Sequence, residues 1–264
     1  MTVIASPDLI AKLDHVLRAG SPDLHTLMLQ EVAGMFLDDA HRLSAHHVEM
    51  FDGILVRLTD SVELRTLTTL SRSLADLRLV PRELARRLAN HDDADVVAPI
   101  LRNCECLPDA DLIDIAWMRA EGHLCAIAGR KAVNAELTDI LLLRGDCSVL
   151  RVLARNPGAD LTSAGLAMMV DAAERDDDIA DGLISRKDLP RRVLADLVMR
   201  STPRRQARLL KLARPDLQDT IRAAIDASAA RASAIPPATI DDAEARATVT
   251  TQRSRAGSAL RSCE

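Results

Sequence analysis

Val80-Pro81, Leu107-Pro108, Val133-Asn134, Leu161-Thr162 and Leu189-Pro190 are five versions of one signal: an apolar residue followed by proline or by a substitute able to start a helix. Successive starts lie 27, 26, 28 and 28 residues apart, and a weaker sixth, Arg214-Pro215, follows after 25. A period of this length marks stacked supersecondary units. Two short helices can be traced in each. In the first unit Leu84, Ala85, Leu88 and Ala89 share a helical face, Asn90-His91-Asp92-Asp93 turns the chain, and Val96, Val97, Ile100 and Leu101 share the next face. Leu112, Ile115 and Ala116 then pair with Leu124, Ile127 and Ala128, and Leu137, Ile140 and Leu141 with Val149, Val152 and Leu153. Later turns are expected at Glu121-Gly122, Gly145-Asp146 and Asp176-Asp177.

A unit of this size cannot enclose a core alone, since chains below roughly 40 residues rarely fold unaided. Each pair must bury its apolar face against its neighbours. The expected fold is therefore all-α, an α-solenoid of short two-helix repeats with an N-terminal helical cap. Residues 1–76 read as that cap, with helices beginning at Ser6-Pro7-Asp8 and Ser21-Pro22-Asp23 and two more over roughly 46–58 and 62–77. Residues 77–227 hold the repeats. From Ser228 to Glu264 Ala, Ser, Thr and Arg dominate, Pro236-Pro237 interrupts, and a low-complexity, disordered tail is expected.

The composition narrows the function classes. Among 264 residues there is no Tyr, one Trp (Trp117) and two Phe (Phe36 and Phe51), so aliphatic side chains must fill the core. The same shortage removes the stacking platforms on which sugars and single-stranded nucleic acids are usually held. No GxGxxG or GxxxxGK loop, nucleophile motif or paired-carboxylate signature occurs, so no enzyme, cofactor or reaction is expected. The chain shows neither a signal-peptide pattern at its start nor an apolar run of the ~18 residues needed to span a bilayer. Five cysteines without framework spacing suit a reducing, cytoplasmic setting.

The stretch Leu74–Val198 resembles a bacterial family of HEAT-like repeat proteins known as domain of unknown function 2336. The residues behind this are Leu107-Pro-Asp-Ala-Asp-Leu-Ile-Asp-Ile-Ala116, His123-Leu-Cys-Ala-Ile-Ala-Gly-Arg130, Asp146 to Asn156, and Arg186-Lys-Asp-Leu-Pro190. Leu-Ala-Arg-Asn-Pro at 153–157 also resembles the leucine-rich-variant type of repeat. The resemblance covers roughly half the chain. It implies a solenoid with a non-enzymatic interaction role, and no reaction comes with it.

Two groups of residues are candidates for contact with a partner. A polar residue recurs at the end of each second helix, Asn103, Arg130, Asn156 and Arg186, and should stack along one edge. It could form a partner-facing stripe, or a ladder that caps helix ends and ties repeats together. The second group lies in the segment 186–214, where ten basic residues meet only Asp188 and Asp196 although the whole chain carries −5. Arg191, Arg192, Arg204, Arg205, Arg208 and Lys211 would offer an anionic partner a cationic face, just beyond the acidic run Glu174 to Asp181. The leading expectation is a non-catalytic cytoplasmic adaptor or regulatory scaffold that binds another protein on the solenoid surface. The alternative is a nucleic-acid-binding protein using residues 186–214. Three smaller constellations read as structural: Cys104-Glu-Cys106, whose gap is one residue short of common zinc spacing, the cluster His41, His46 and His47, and the calcium-like Asp109, Asp111 and Asp114.

Overall fold

The computed structural model describes residues 15, 16, 18, 21–77 and 79–234. Fourteen α-helices lie within 22–234, and no strand occurs among the described residues. Three belong to the N-terminal unit: α1 (Pro22–Asp39), α2 (Ala45–Leu58) and α3 (Leu64–Ala75). Then come the helix pairs α4 (Arg82–Ala89) and α5 (Ala94–Asn103), α6 (Asp109–Met118) and α7 (Glu121–Ala128), and α8 (Ala135–Arg144) and α9 (Cys147–Arg155). The last pairs are α10 (Ser163–Ala173) with α11 (Asp177–Ser185) and α12 (Arg191–Met199) with α13 (Pro203–Leu212), before the long α14 (Pro215–Ala234). None is long and apolar enough to cross a membrane.

The helices pack in sequence. The helices of the first four pairs touch each other, and the second helices form a continuous row in which α3, α5, α7, α9, α11 and α13 each lie on the next. The first helices form another row, α6 to α8, α10, α12 and α14, with α2 against α4 in front. The core runs between the rows: Leu84, Leu88, Ile100, Leu101, Leu112, Ile127, Leu141, Leu153, Leu183 and Leu194 are all shut off from solvent. In the N-terminal unit both phenylalanines fill the centre, Phe36 and Phe51 meeting edge to face at 5.3 Å.

The recurring start residues work as expected, with a division of labour. Pro81, Pro108 and Pro190 stand at the N-cap without a side-chain acceptor. Asn134 and Thr162 stand at the same position and accept from Leu137 N and Gly165 N at 2.8 and 2.9 Å. The cap missing from α4 arrives from elsewhere. Asp52 of α2 is buried and accepts from Glu83 N and Leu84 N at 2.9 and 2.8 Å, fastening the N-terminal unit to the first pair.

Several expectations shift in detail. Glu121 and Gly122 open α7 instead of forming a turn, which moves the turn to Arg119-Ala120. The helix expected from Ser6 lies outside the described residues apart from 15, 16 and 18. Ser228, expected to begin a tail, is inside α14 and accepts from Gln206 Nε2 at 3.1 Å, so helix persists to Ala234. The tail expected beyond that point lies outside the described residues. His47 forms a capping box with Ser44 at the start of α2, its Nδ1 accepting from Ser44 N at 3.4 Å.

Two stability tests follow from these contacts. Asp52→Ala strands two buried or half-buried donors, and urea denaturation should show a loss of about 2 kcal/mol. His123 is 3% exposed and its Nε2 donates to His91 O at 2.9 Å; burial lowers its pKa, chiefly through desolvation. The folded state thus prefers neutral imidazole, and this contribution is full above the unfolded His pKa of about 6.5 and is lost as pH falls from there through the lowered folded value. Urea midpoints should therefore decline on acidification through that window, and His123→Gln should flatten the decline.

Candidate functional site

Each second helix ends on carbonyls with no intrahelical partner. In three successive repeats the polar residue at that end reaches back one repeat to meet them. Arg130 donates through Nη1 to Leu101 O and through Nη2 to Cys104 O at 3.0 Å. Asn156 Nδ2 donates to Ala128 O and Arg130 O at 2.7 and 2.8 Å, while its Oδ1 accepts from Gly158 N at 2.9 Å. Arg186, 3% exposed, donates to the carbonyls of Leu153, Asn156 and Ala159 and pairs through Nε with Asp188 at 3.0 Å. The backbone joins in: Val133 N donates to Gly158 O and Asp160 N to Val133 O, both at 2.9 Å, across an isolated parallel bridge. A Cβ on Gly158 would stand 1.9 Å from Lys131 O, so only glycine allows this approach.

Of the two readings open for Arg130, Asn156 and Arg186, a partner-facing stripe or a ladder tying the repeats together, their hydrogen bonds are those of the ladder. Their donors are committed to the preceding repeat, and Arg186 cannot be reached from solvent. Asn103, the first of the row, is exposed and stands outside the ladder.

The basic segment also divides. Arg205 pairs with Asp177 and donates to Glu174 O at 2.9 Å, Arg208 pairs with Asp181, and Arg200 pairs with Asp171 and Glu174. The acidic and basic runs are thus neighbouring repeats that neutralise each other, not two separate poles. Arg191, Arg192, Arg204 and Lys211 are exposed and enter no ion pair among the described residues.

What the repeats leave in solvent is an apolar row that the sequence reading passed over. Trp117 (48% exposed) and Met118 (81%) end α6, Leu143 (67%) lies near the end of α8, and Met168 and Met199 stand on α10 and α12. Trp117, Leu143 and Met199 occupy the same position counted from their repeat starts, ten residues after Leu107, Val133 and Leu189. Grooves open between first helices along this row. One of about 650 Å³ lies between α10 and α12, floored by Leu166, Val170 and Val193 and rimmed by Arg192, Asp196 and Met199. Another of about 450 Å³ lies between α4 and α6, with Met118 and Arg119 on its wall and the bidentate Arg86–Asp111 pair across it at 2.7 and 3.0 Å. The outward repeat of apolar residues was present in the sequence, but exposure could not be read there.

No three His, Cys, Asp or Glu side chains converge as a metal site would require, among the described residues. Cys104 and Cys106, weighed above only as metal ligands or buried thiols, are joined as a disulfide; Cys125 and Cys147 are free.

The fold and its ties define an all-α protein of sequentially stacked helix pairs. Residues 96–262 match the model of a family described as an uncharacterised protein conserved in bacteria, DUF2336. The match spans more than half the chain, which therefore belongs to this family. It begins later than the resemblance noted above and continues through the segment read as tail. No curated protein and no solved structure matches.

The ladder and the exposed cations should separate cleanly on substitution. Arg186→Ala leaves buried carbonyls without donors and should cost about 3 kcal/mol in urea denaturation. Arg186→Lys should recover only part, since an ammonium cannot replace the guanidinium fork. Arg192→Ala should stay within about 0.5 kcal/mol of the parent.

Proposed function

We propose that this chain is a non-catalytic HEAT-like α-solenoid, an adaptor or scaffold that holds another protein against its row of first helices. The observation that carries this reading is the exposed apolar row Trp117, Met118, Leu143, Met168 and Met199. Three of these, Trp117, Leu143 and Met199, repeat in register; large apolar side chains on a surface are costly to leave wet, and patches of this kind mark interaction sites. Tryptophan is also favoured among the residues that dominate binding energy at interfaces. The α10–α12 groove adds apolar walls with a cationic rim at Arg192, which suits an amphipathic partner segment carrying both apolar anchors and a carboxylate. Arg191, Arg204 and Lys211 would steer such a partner without contributing much to its affinity.

The paired state of Arg200, Arg205 and Arg208 weighs against a continuous phosphate-binding track, as does the exposure of a single large ring. The protein reading is therefore preferred to the nucleic-acid one.

The test is affinity capture with the full chain, with and without nuclease, comparing the parent with Leu143→Glu/Met199→Glu and Arg204→Glu/Lys211→Glu. Both positions of the first pair are exposed, so thermal midpoints should stay near the parent's. A nuclease-resistant protein should be captured by the parent, largely lost with the apolar-row variant and retained, with slower association and a shallower salt dependence, by the cationic one. Retention by the apolar-row variant, or loss of all capture on nuclease treatment, overturns the proposal. Titration of the captured protein should shift Trp117 fluorescence, which reports on this face alone because the chain has no other tryptophan.

A further inference from the structure

The geometry points to a reversible dithiol–disulfide site at Cys104 and Cys106 that exchanges with small thiols and disulfides of the glutathione class. A bridge over one intervening residue is uncommon because most backbone conformations hold the two side chains apart. Here a turn follows α5, and the two Cα atoms lie 5.4 Å apart, within the usual bridging range of about 4.4–6.8 Å.

That turn is held by bonds that do not depend on the sulfurs. Cys104 N donates to Ile100 O at 3.0 Å, and Cys104 O accepts from Arg130 Nη2 at 3.0 Å. The ladder residue of the next repeat therefore clamps one end of the pair. Once reduced, the two thiols remain placed to close again, and opening the bridge does not require the helices to part.

Access is one-sided. Cys104 is fully buried, whereas Cys106 is half-buried and lines a groove of about 240 Å³ with Arg82, Glu83, Arg86 and Pro108. A small molecule reaches Cys106 Sγ and not Cys104. Of the other described thiols, Cys125 is half-buried with its pKa raised mainly by that burial, and Cys147 is exposed and free, able to take up a small thiol but with no partner to close a bridge.

The exchange follows from this asymmetry. The Cys106 thiolate attacks one sulfur of a small disulfide R–S–S–R; that S–S bond breaks, RS⁻ leaves, and a Cys106–S–S–R mixed disulfide forms. The Cys104 thiolate then attacks Cys106 Sγ, expels the second RS⁻ and closes the bridge. The protein gives up two electrons and two protons, and both appear on the two released RSH molecules. In reverse, a small thiolate attacks Cys106 Sγ and releases Cys104.

The experiment uses the full chain equilibrated across a series of reduced-to-oxidised glutathione ratios, quenched with acid, labelled with N-ethylmaleimide and digested with trypsin. The peptide 103–119 carries Cys104 and Cys106 and no other cysteine, so it reads this pair alone. It should pass from doubly labelled to unlabelled and bridged as oxidised glutathione rises, and return when the ratio is reversed. Circular dichroism should stay native throughout. Cys104→Ser should trap glutathione on Cys106 as a stable adduct. The proposal is overturned if the peptide stays doubly labelled at every ratio, or if the bridge resists glutathione until urea unfolds the chain. A folded Cys104→Ser protein that takes up no glutathione also overturns it, and should that variant not fold, the parent's peptide series decides by itself.

Discussion

A helix of eight to eleven residues leaves a large share of its carbonyls without an internal partner at its end, and the repeats of this chain are built from such helices. Its structure depends on how those ends are met. Arg130, Asn156 and Arg186 reach back across 26 to 33 residues and donate to the carbonyls that close the preceding second helix. The consequence is directional: each repeat completes the one before it. Burial of the aliphatic faces supplies the driving force for stacking, but apolar contact alone is indifferent to small slips. The polar ladder favours the one register in which the closing carbonyls of three second helices meet these donors. Asp52 serves the same end at the front of the stack, where no earlier repeat exists to cap α4.

Charge follows the same spacing. Arg86 with Asp111, Arg119 with Asp92, Arg151 with Asp176 and Arg205 with Asp177 all join neighbouring repeats, at separations close to one period. Most are exposed, and pairs of that kind contribute little individually. Their larger effect is on the surface that remains. Arg205 and Arg208 neutralise Asp177 and Asp181 where helices α11 and α13 meet, while Lys187, Arg191, Arg192, Arg204 and Lys211 enter no ion pair among the described residues. Under the proposed adaptor role, such a surface would select a partner by shape and apolar anchors first and by charge second.

The candidate site was less legible than the fold. Arg130, Asn156 and Arg186 recur at a helix end, and recurrence alone cannot distinguish a side chain turned outward from one turned back onto the previous repeat. Asp52 gave no local signal, because its acceptors serve a helix thirty residues away. Trp117, Leu143 and Met199 sit in register but look like core residues in a one-dimensional pattern, since an apolar side chain at helical spacing is usually buried. Cys104 and Cys106 had unpromising spacing for a metal, and their bridge depends on a turn clamped by Arg130 from the next repeat.

By itself the sequence determined the local structure: the helix starts at Pro81, Pro108, Asn134, Thr162 and Pro190, the paired apolar faces, and the all-α stacking that follows from units too small to fold alone. These are short-range consequences of fixed proline dihedrals, N-cap chemistry and helical periodicity. Only the tertiary structure decided which polar residues are spent inside and which apolar ones are left outside. That choice is made between residues one repeat apart in sequence and in contact in space, where burial and the supply of unsatisfied carbonyls, not side-chain type, set each group's role.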